Sequence, residues 1–220
     1  MRNNPAIPMK LFLALAGLVV LHCIVQWNYL FLDFWSDELY TLENFALVPI
    51  SRTLTDYHLP NNHVFFSLLL NLVLGLFGIE SVSEILDHPD WLRAGMMLIS
   101  STTVVLVFLT ANRWQKNSGI WAAAALIFTV PFITFAMQIR GYSLSMMLLA
   151  VLLWSIARFK VEKKFSVGII LATALLAYTL PSNYYVLLSA CVAMAVLFAV
   201  KRERHSLNIG LNLLGGILLS

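Results

Sequence analysis

Hydrophobic residues in this chain come in blocks rather than in alternating or striped patterns. Apolar runs occupy about 11–31, 64–79, 92–111, 119–138, 142–157, 165–180, 184–200 and 206–220. Crossing a hydrocarbon core of about 30 Å takes roughly 20 helical residues, so these blocks predict membrane-crossing helices. The run Val64–Phe77 has 14 residues, about 21 Å of helix. Several later runs are also short, so length alone does not say which blocks cross.

The basic residues decide. Suppose Val64–Phe77 does not cross and the N-terminus is cytoplasmic. Then Arg2, Lys10, Arg113, Lys116, Arg158, Lys160, Lys163, Lys164, Lys201, Arg202 and Arg204 lie inside, 11 of the 14 basic residues. Arg52, Arg93 and Arg140 remain outside. If Val64–Phe77 crosses, only Arg2, Lys10, Arg93 and Arg140 are inside. The excess of Lys and Arg on cytoplasmic loops favours the first topology. The prediction is an all-α integral membrane protein. It has about seven transmembrane helices (about 11–31, 92–111, 119–138, 142–157, 165–180, 184–200 and 206–220) and one long outer loop, 32–91.

That loop holds Asp33, Asp37, Glu38, Glu43, Asp56, Glu80, Glu84, Asp87 and Asp90, nine of the 11 acidic residues. A loop of this length is usually functional. It should carry surface helices. Leu39, Leu42 and Ala46 recur at helical spacing after Ser36, which can cap the start, and Pro49 marks the end. Ser67, Asn71, Gly75 and Gly78 form a small or polar seam in an otherwise apolar segment, predicting a helix tucked against the bundle.

Composition narrows the class further. The chain is 60% hydrophobic and 11% charged, against about 25% charged in a soluble domain. No basic patch interleaves with aromatics, so nucleic acid is not an expected partner. Cys23 and Cys191 sit in apolar runs and imply neither disulfide nor metal knuckle. Arg2 and Lys10 before an apolar run read as an uncleaved signal anchor in a cell membrane, most simply a bacterial inner membrane. The last run reaches Ser220 without a flanking charge, and further sequence is expected beyond it.

Four polar clusters could carry chemistry. Asp37 and Glu38 could act as a general base or bind a divalent cation; they also suit the first turn of a helix. His58, Asn61, Asn62 and His63 bracket Pro60 and could bind sugar hydroxyls or complete a metal site with the carboxylates. They could equally cap the next helix. Arg140 beside Tyr142 could grip a phosphate bidentately, or snorkel at a helix end. Asn183, between Ser182 and Tyr184, marks a tight outer turn. All four clusters fall on the outer face in the charge-derived topology.

On these residues the chain resembles the polytopic glycosyltransferases of the GT-C type. The similarity is to the branch with protein O-mannosyltransferases and lipid A aminoarabinose transferases. The matching stretches are Trp35-Ser36-Asp37-Glu38, Pro60-Asn61-Asn62-His63, Trp91-Leu92-Arg93, 117–123 (Asn-Ser-Gly-Ile-Trp-Ala-Ala) and Ile139-Arg140-Gly141-Tyr142-Ser143-Leu144. The resemblance covers most of residues 25–160. The resemblance implies inverting transfer of a sugar from a polyprenyl-phosphate donor to a lipid, glycan or protein acceptor on the outer face. It implies Asp37, with Glu38, as the catalytic acids. Arg140, Tyr142, His58, Asn61, Asn62 and His63 would bind substrate, and Glu38 and His63 could hold a divalent cation. The rival readings are a transporter or flippase-like protein and a non-catalytic membrane module.

Overall fold

The computed structural model describes residues 8–56, 62–160 and 162–220. The fold is all-α, with no strand among the described residues. The helices are α1 (Met9–Gln26), α2 (Ser36–Thr41), α3 (Ile50–Thr55), α4 (Val64–Leu76), α5 (Pro89–Trp114), α6 (Ser118–Ile127), α7 (Val130–Phe135), α8 (Gly141–Arg158), α9 (Val167–Thr179), α10 (Asn183–Lys201) and α11 (Arg204–Leu218).

Among the described residues, four helices are long and apolar enough to cross a membrane: Met9–Phe31, in which α1 runs on into a 3-10 turn, then α5, α8 and α10. Their outer surfaces are hydrocarbon; Ile24, Leu98 and Val192 are among the exposed side chains. Water would not tolerate so continuous an apolar skin.

The other three predicted spans are shorter as helices. The run 119–138 is broken. Its α6 stops at Ile127, Thr129 is extended (φ −76°, ψ 132°), and α7 restarts with Pro131 near its N-terminus. Proline lacks the N–H of the helical ladder and clashes with the carbonyl four residues back, so one helix cannot run through it. The runs 165–180 and 206–220 contain helices of 13 and 15 residues, about 20 and 23 Å long.

α5 and α8 form the centre and run parallel. At one end the Arg93 guanidinium donates to Met137 O at 3.0 Å; at the other, Arg113 Nε donates to Ala157 O at 2.6 Å. One hydrophobic cluster joins α4, α5, α8, α9 and α11 through residues such as Leu70, Met96, Leu148, Leu176 and Leu213. A second joins α1, α5, α6 and α7 through Leu18, Phe108, Ala123 and Phe132. Inside that second cluster His22 Nε2 lies 2.9 Å from Ser100 Oγ, and Gln26 donates to Ile133 O at 3.3 Å. Polar bonds of this kind fix one helix against another within an apolar layer. Gly119 lets α6 close on α5, since a Cβ there would collide with the Phe108 carbonyl.

Among its described residues, the segment 32–91 carries the expected helices, with changes. Ser36 does not cap α2; Trp35 is the N-cap, and Glu38 returns to accept its N–H at 2.8 Å. A π-helical turn, Leu42–Ala46, continues the chain. The seam on α4 is half right. Ser67 is buried, and Asn71 Nδ2 donates to Ala46 O and Val48 O, both at 2.7 Å. Gly75 and Gly78 instead face open space.

Candidate functional site

Adjacent residues on a helix point about 100° apart. At the start of α2 this sends two neighbouring carboxylates to different places. Glu38 turns inward and is fully buried, while Asp37 turns outward with its side chain 59% exposed.

Glu38 meets Arg93, from the first turn of α5. Arg93 Nη2 donates to Glu38 Oε2 at 2.9 Å, and Nη1 donates to Oε1 at 3.1 Å. Two backbone groups complete the carboxylate: Trp35 N–H at 2.8 Å and Ile139 N–H at 2.7 Å. The remaining donors of Arg93 are used as well. They reach Leu32 O at 3.0 Å, Asp33 O at 2.8 Å and Met137 O at 3.0 Å. A guanidinium has five N–H donors, and all five are spent. The node therefore locks three segments together: 32–38, the start of α5, and 137–139.

The outer pair is one step along each chain. Ile139 is bonded to Glu38, so its neighbour Arg140 comes to Asp37, the neighbour of Glu38. Arg140 Nη1 donates to Asp37 Oδ2 at 2.9 Å. The Arg140 guanidinium lies 5.0 Å over the Tyr142 ring. Tyr142 is wedged between Phe135, at 4.9 Å, and His63, at 5.1 Å.

His63 supports this pair from below. Its Nδ1 accepts the Gly141 N–H at 2.8 Å. The neutral ring therefore carries its proton on Nε2. A Cβ at residue 141 would sit 2.8 Å from His63 Cβ, so only glycine fits. Burial first, and the Arg140 charge second, lower the His63 pKa from 6.5 to about 3. The ring stays neutral at any physiological pH.

Asp37, Glu38, His63, Arg140 and Tyr142 are thus brought together, though not in equal roles. Glu38 is not open to substrate: its carboxylate is enclosed and its four lone-pair positions are taken. His63 is also buried, with Nδ1 occupied. Glu38 and His63 consequently do not form a metal site, and among the described residues no group of three His, Cys, Asp or Glu side chains could hold an ion. Asn62 is a scaffold residue, not a helix cap or sugar ligand. It is buried, and Nδ2 donates to Thr53 O at 2.8 Å and Asp56 O at 2.9 Å, tying the chain to the end of α3. His58 and Asn61 lie outside the described residues. Asn183 spends its amide on Leu176 O at 2.7 Å and Ser145 Oγ at 2.9 Å, fixing the α9–α10 turn.

Arg93 belongs to the Trp91-Leu92-Arg93 stretch of the sequence, but sequence reasoning gave it no role. It has the look of an arginine snorkelling at a span end. The available signal was that it is one of three basic residues in an acidic outer region.

Beside the node, α4 and α5 border an apolar groove of about 470 Å³. Phe66, Leu70, Phe77, Trp91 and Leu92 line it, and Ile139 lines it too. No family model, no curated protein and no solved structure matches this chain.

Proposed function

We propose that the chain is a glycosyltransferase module that moves a sugar from a polyprenyl-phosphate donor to an acceptor on the non-cytoplasmic face of a cell membrane. The observation that carries this reading is the Asp37–Arg140 pair. An accessible carboxylate sits 2.9 Å from a guanidinium, and both are held by a buried node one residue away on each chain. That is a base and an anion-binding group fixed in register. The groove between α4 and α5 supports a lipid-linked donor, because its walls are hydrocarbon and Ile139 joins it to the pair.

In this mechanism Asp37 accepts the proton of the acceptor hydroxyl. The acceptor oxygen bonds to the anomeric carbon from the face opposite the phosphate. The bond from that carbon to the phosphate oxygen breaks, and its electrons stay on the lipid phosphate. Proton transfer neutralises Asp37 and loosens its hold on Arg140 as negative charge grows on the phosphate. Arg140 then stabilises the leaving group. Tyr142 and His63 keep its guanidinium in place.

The topology that serves this chemistry has a cytoplasmic N-terminus and seven crossings: α1, α5, α6 with α7, α8, α9, α10 and α11. α4 stays on the outer side. This places the Asp37–Arg140 pair outside and Arg158, Lys163 and Lys201 inside, in line with the distribution of basic residues. A cysteine placed at 84 in a variant lacking Cys23 and Cys191 should react with an impermeant thiol reagent added outside intact cells. Labelling only after lysis would overturn this topology.

The function is tested by incubating membranes containing the protein with radiolabelled polyprenyl-phosphate sugars. Label should move to an endogenous lipid, glycan or protein fraction. Absence of transfer across a panel of donors and acceptor fractions, with protein verified in the membrane, would sink the reading.

A further inference from the structure

The end of α8 far from Arg140 is a second polar centre. α8 runs 18 residues from Gly141 to Arg158, about 27 Å. That is close to the roughly 30 Å of a hydrocarbon core, so its two ends fall near opposite membrane surfaces. The far end opens into a cavity of about 550 Å³, walled by Trp154, Ser155, Arg158, Lys160, Lys163 and Ser166. Three cations line one space, Lys164 is adjacent, and Glu162 is the one acid between Arg158 and Ser166.

Arg158, Lys160 and Lys163 form no ion pair with any described residue. The Arg158 guanidinium lies 5.3 Å over the Trp154 ring, which holds it at the rim. Arg113 adds another positive charge at the same helix end through its bond to Ala157 O. The loop carrying the lysines is pinned from α11. Asn208 donates to Lys163 O at 3.1 Å and Asn212 to Lys164 O at 2.9 Å, while Ser166 N–H donates to Asn212 Oδ1 at 2.7 Å. Like charges held together repel, and a bound anion relieves that repulsion.

We infer that this cavity binds the phosphate headgroup of an anionic membrane lipid. The cations would face the phosphate, and Arg158 can donate to it bidentately. The cavity's other walls point to a lipid rather than free phosphate. Phe165 and Val167 also line it, and they are 74% and 71% exposed. An inorganic ion has no use for apolar side chains beside the lysines, whereas a lipid covers them with its acyl chains. A basic, aromatic-edged pocket between helix ends, on the face with most of the basic residues, meets anionic lipid at the cytoplasmic surface.

The full chain in detergent is titrated with short-chain phosphatidylglycerol or phosphatidylcholine, and bound lipid is counted by native mass spectrometry. Phosphatidylglycerol should be retained in preference. Arg158→Gln, Lys160→Gln and Lys163→Gln should each weaken its binding about fivefold. Lys163→Arg should restore it, and Lys201→Gln, at another basic turn, should leave it unchanged. Equal retention of the two lipids, or wild-type binding by the three glutamine variants, overturns the site. Loss in Lys201→Gln equal to that in Lys163→Gln also overturns it, because the attraction would then be a diffuse positive surface. Failure of Lys163→Arg to bind counts against a charge-based site. Inorganic phosphate displacing the lipid at equal concentration would assign the cavity to free phosphate and overturn the lipid assignment.

Discussion

The two neighbouring ion pairs, Glu38–Arg93 and Asp37–Arg140, differ in everything but chemistry. Glu38–Arg93 is buried, bidentate and joined to five backbone groups. Asp37–Arg140 meets at 2.9 Å and leaves a carboxylate open to its surroundings. Charge buried without water is tolerable only when every lone pair and proton is used. The inner pair meets that condition and so fixes geometry. The outer pair leaves carboxylate capacity for a substrate. The lesson is a division of labour: one acid holds the fold and its neighbour stays exposed.

The largest expected effect lies in the inner pair. Glu38→Gln strands the buried Arg93 charge and should cost about 3–5 kcal/mol, read as a lower melting temperature and poor recovery from membranes. Replacing both partners, Glu38→Leu with Arg93→Met, should not recover that loss, because the five backbone groups bonded to the pair are then left without partners. A melting temperature unchanged by Glu38→Gln would break the comparison.

Next comes the outer acid. Asp37→Asn should lower transfer by about 10²–10⁴-fold, the usual contribution of a general base. The loss of stability should be smaller than for Glu38→Gln, because Asp37 is 59% exposed although Arg140 is only 10% exposed. Loss of activity and stability together would make Asp37 a second structural residue.

His63 gives a smaller, pH-dependent effect. Its folded pKa, about 3, lies below its ordinary 6.5, so the unfolded chain takes up the proton first. The resulting stability is present above pH 6.5 and lost as pH falls towards 3. The slope in that window is at most about 1.4 kcal/mol per pH unit. His63→Gln should remove that share of the slope in acid melts. An unaltered slope would mean that the ring is not kept neutral. The smallest effect is expected for Arg140→Lys, which keeps the charge but loses the planar fork. A change of about tenfold in kcat/KM, near 1.4 kcal/mol, should appear without a shift in melting temperature. Unchanged kinetics would remove Arg140 from the chemistry.

Much of this was legible in the sequence, up to a limit set by distance along the chain. Block hydropathy and the acidic loop identified an all-α membrane architecture. Asp37, His63, Arg140 and Tyr142 were expected on one face, and they meet. The roles of the two acids were not legible, because Asp37 and Glu38 are adjacent and similar. Their partners Arg140 and Arg93 lie 103 and 55 positions away. Nothing local says which carboxylate turns inward. The break in 119–138 was missed for a different reason. Averaged hydropathy does not register one proline, and Pro131 lies just after an extended Thr129 that separates α6 from α7.

The Glu38–Ile139 bond has a consequence for biogenesis. It joins residues 101 positions apart. A nascent chain shows Glu38 and Arg93 to the membrane surface long before Ile139 is synthesised. Until the turn after α7 docks, the carboxylate lacks one of its four donors and Arg93 lacks the Met137 carbonyl. The outer site is therefore assembled late, as α8 takes its place beside α5. A chain shorter than 139 residues has both acids but no Arg140 to set beside Asp37.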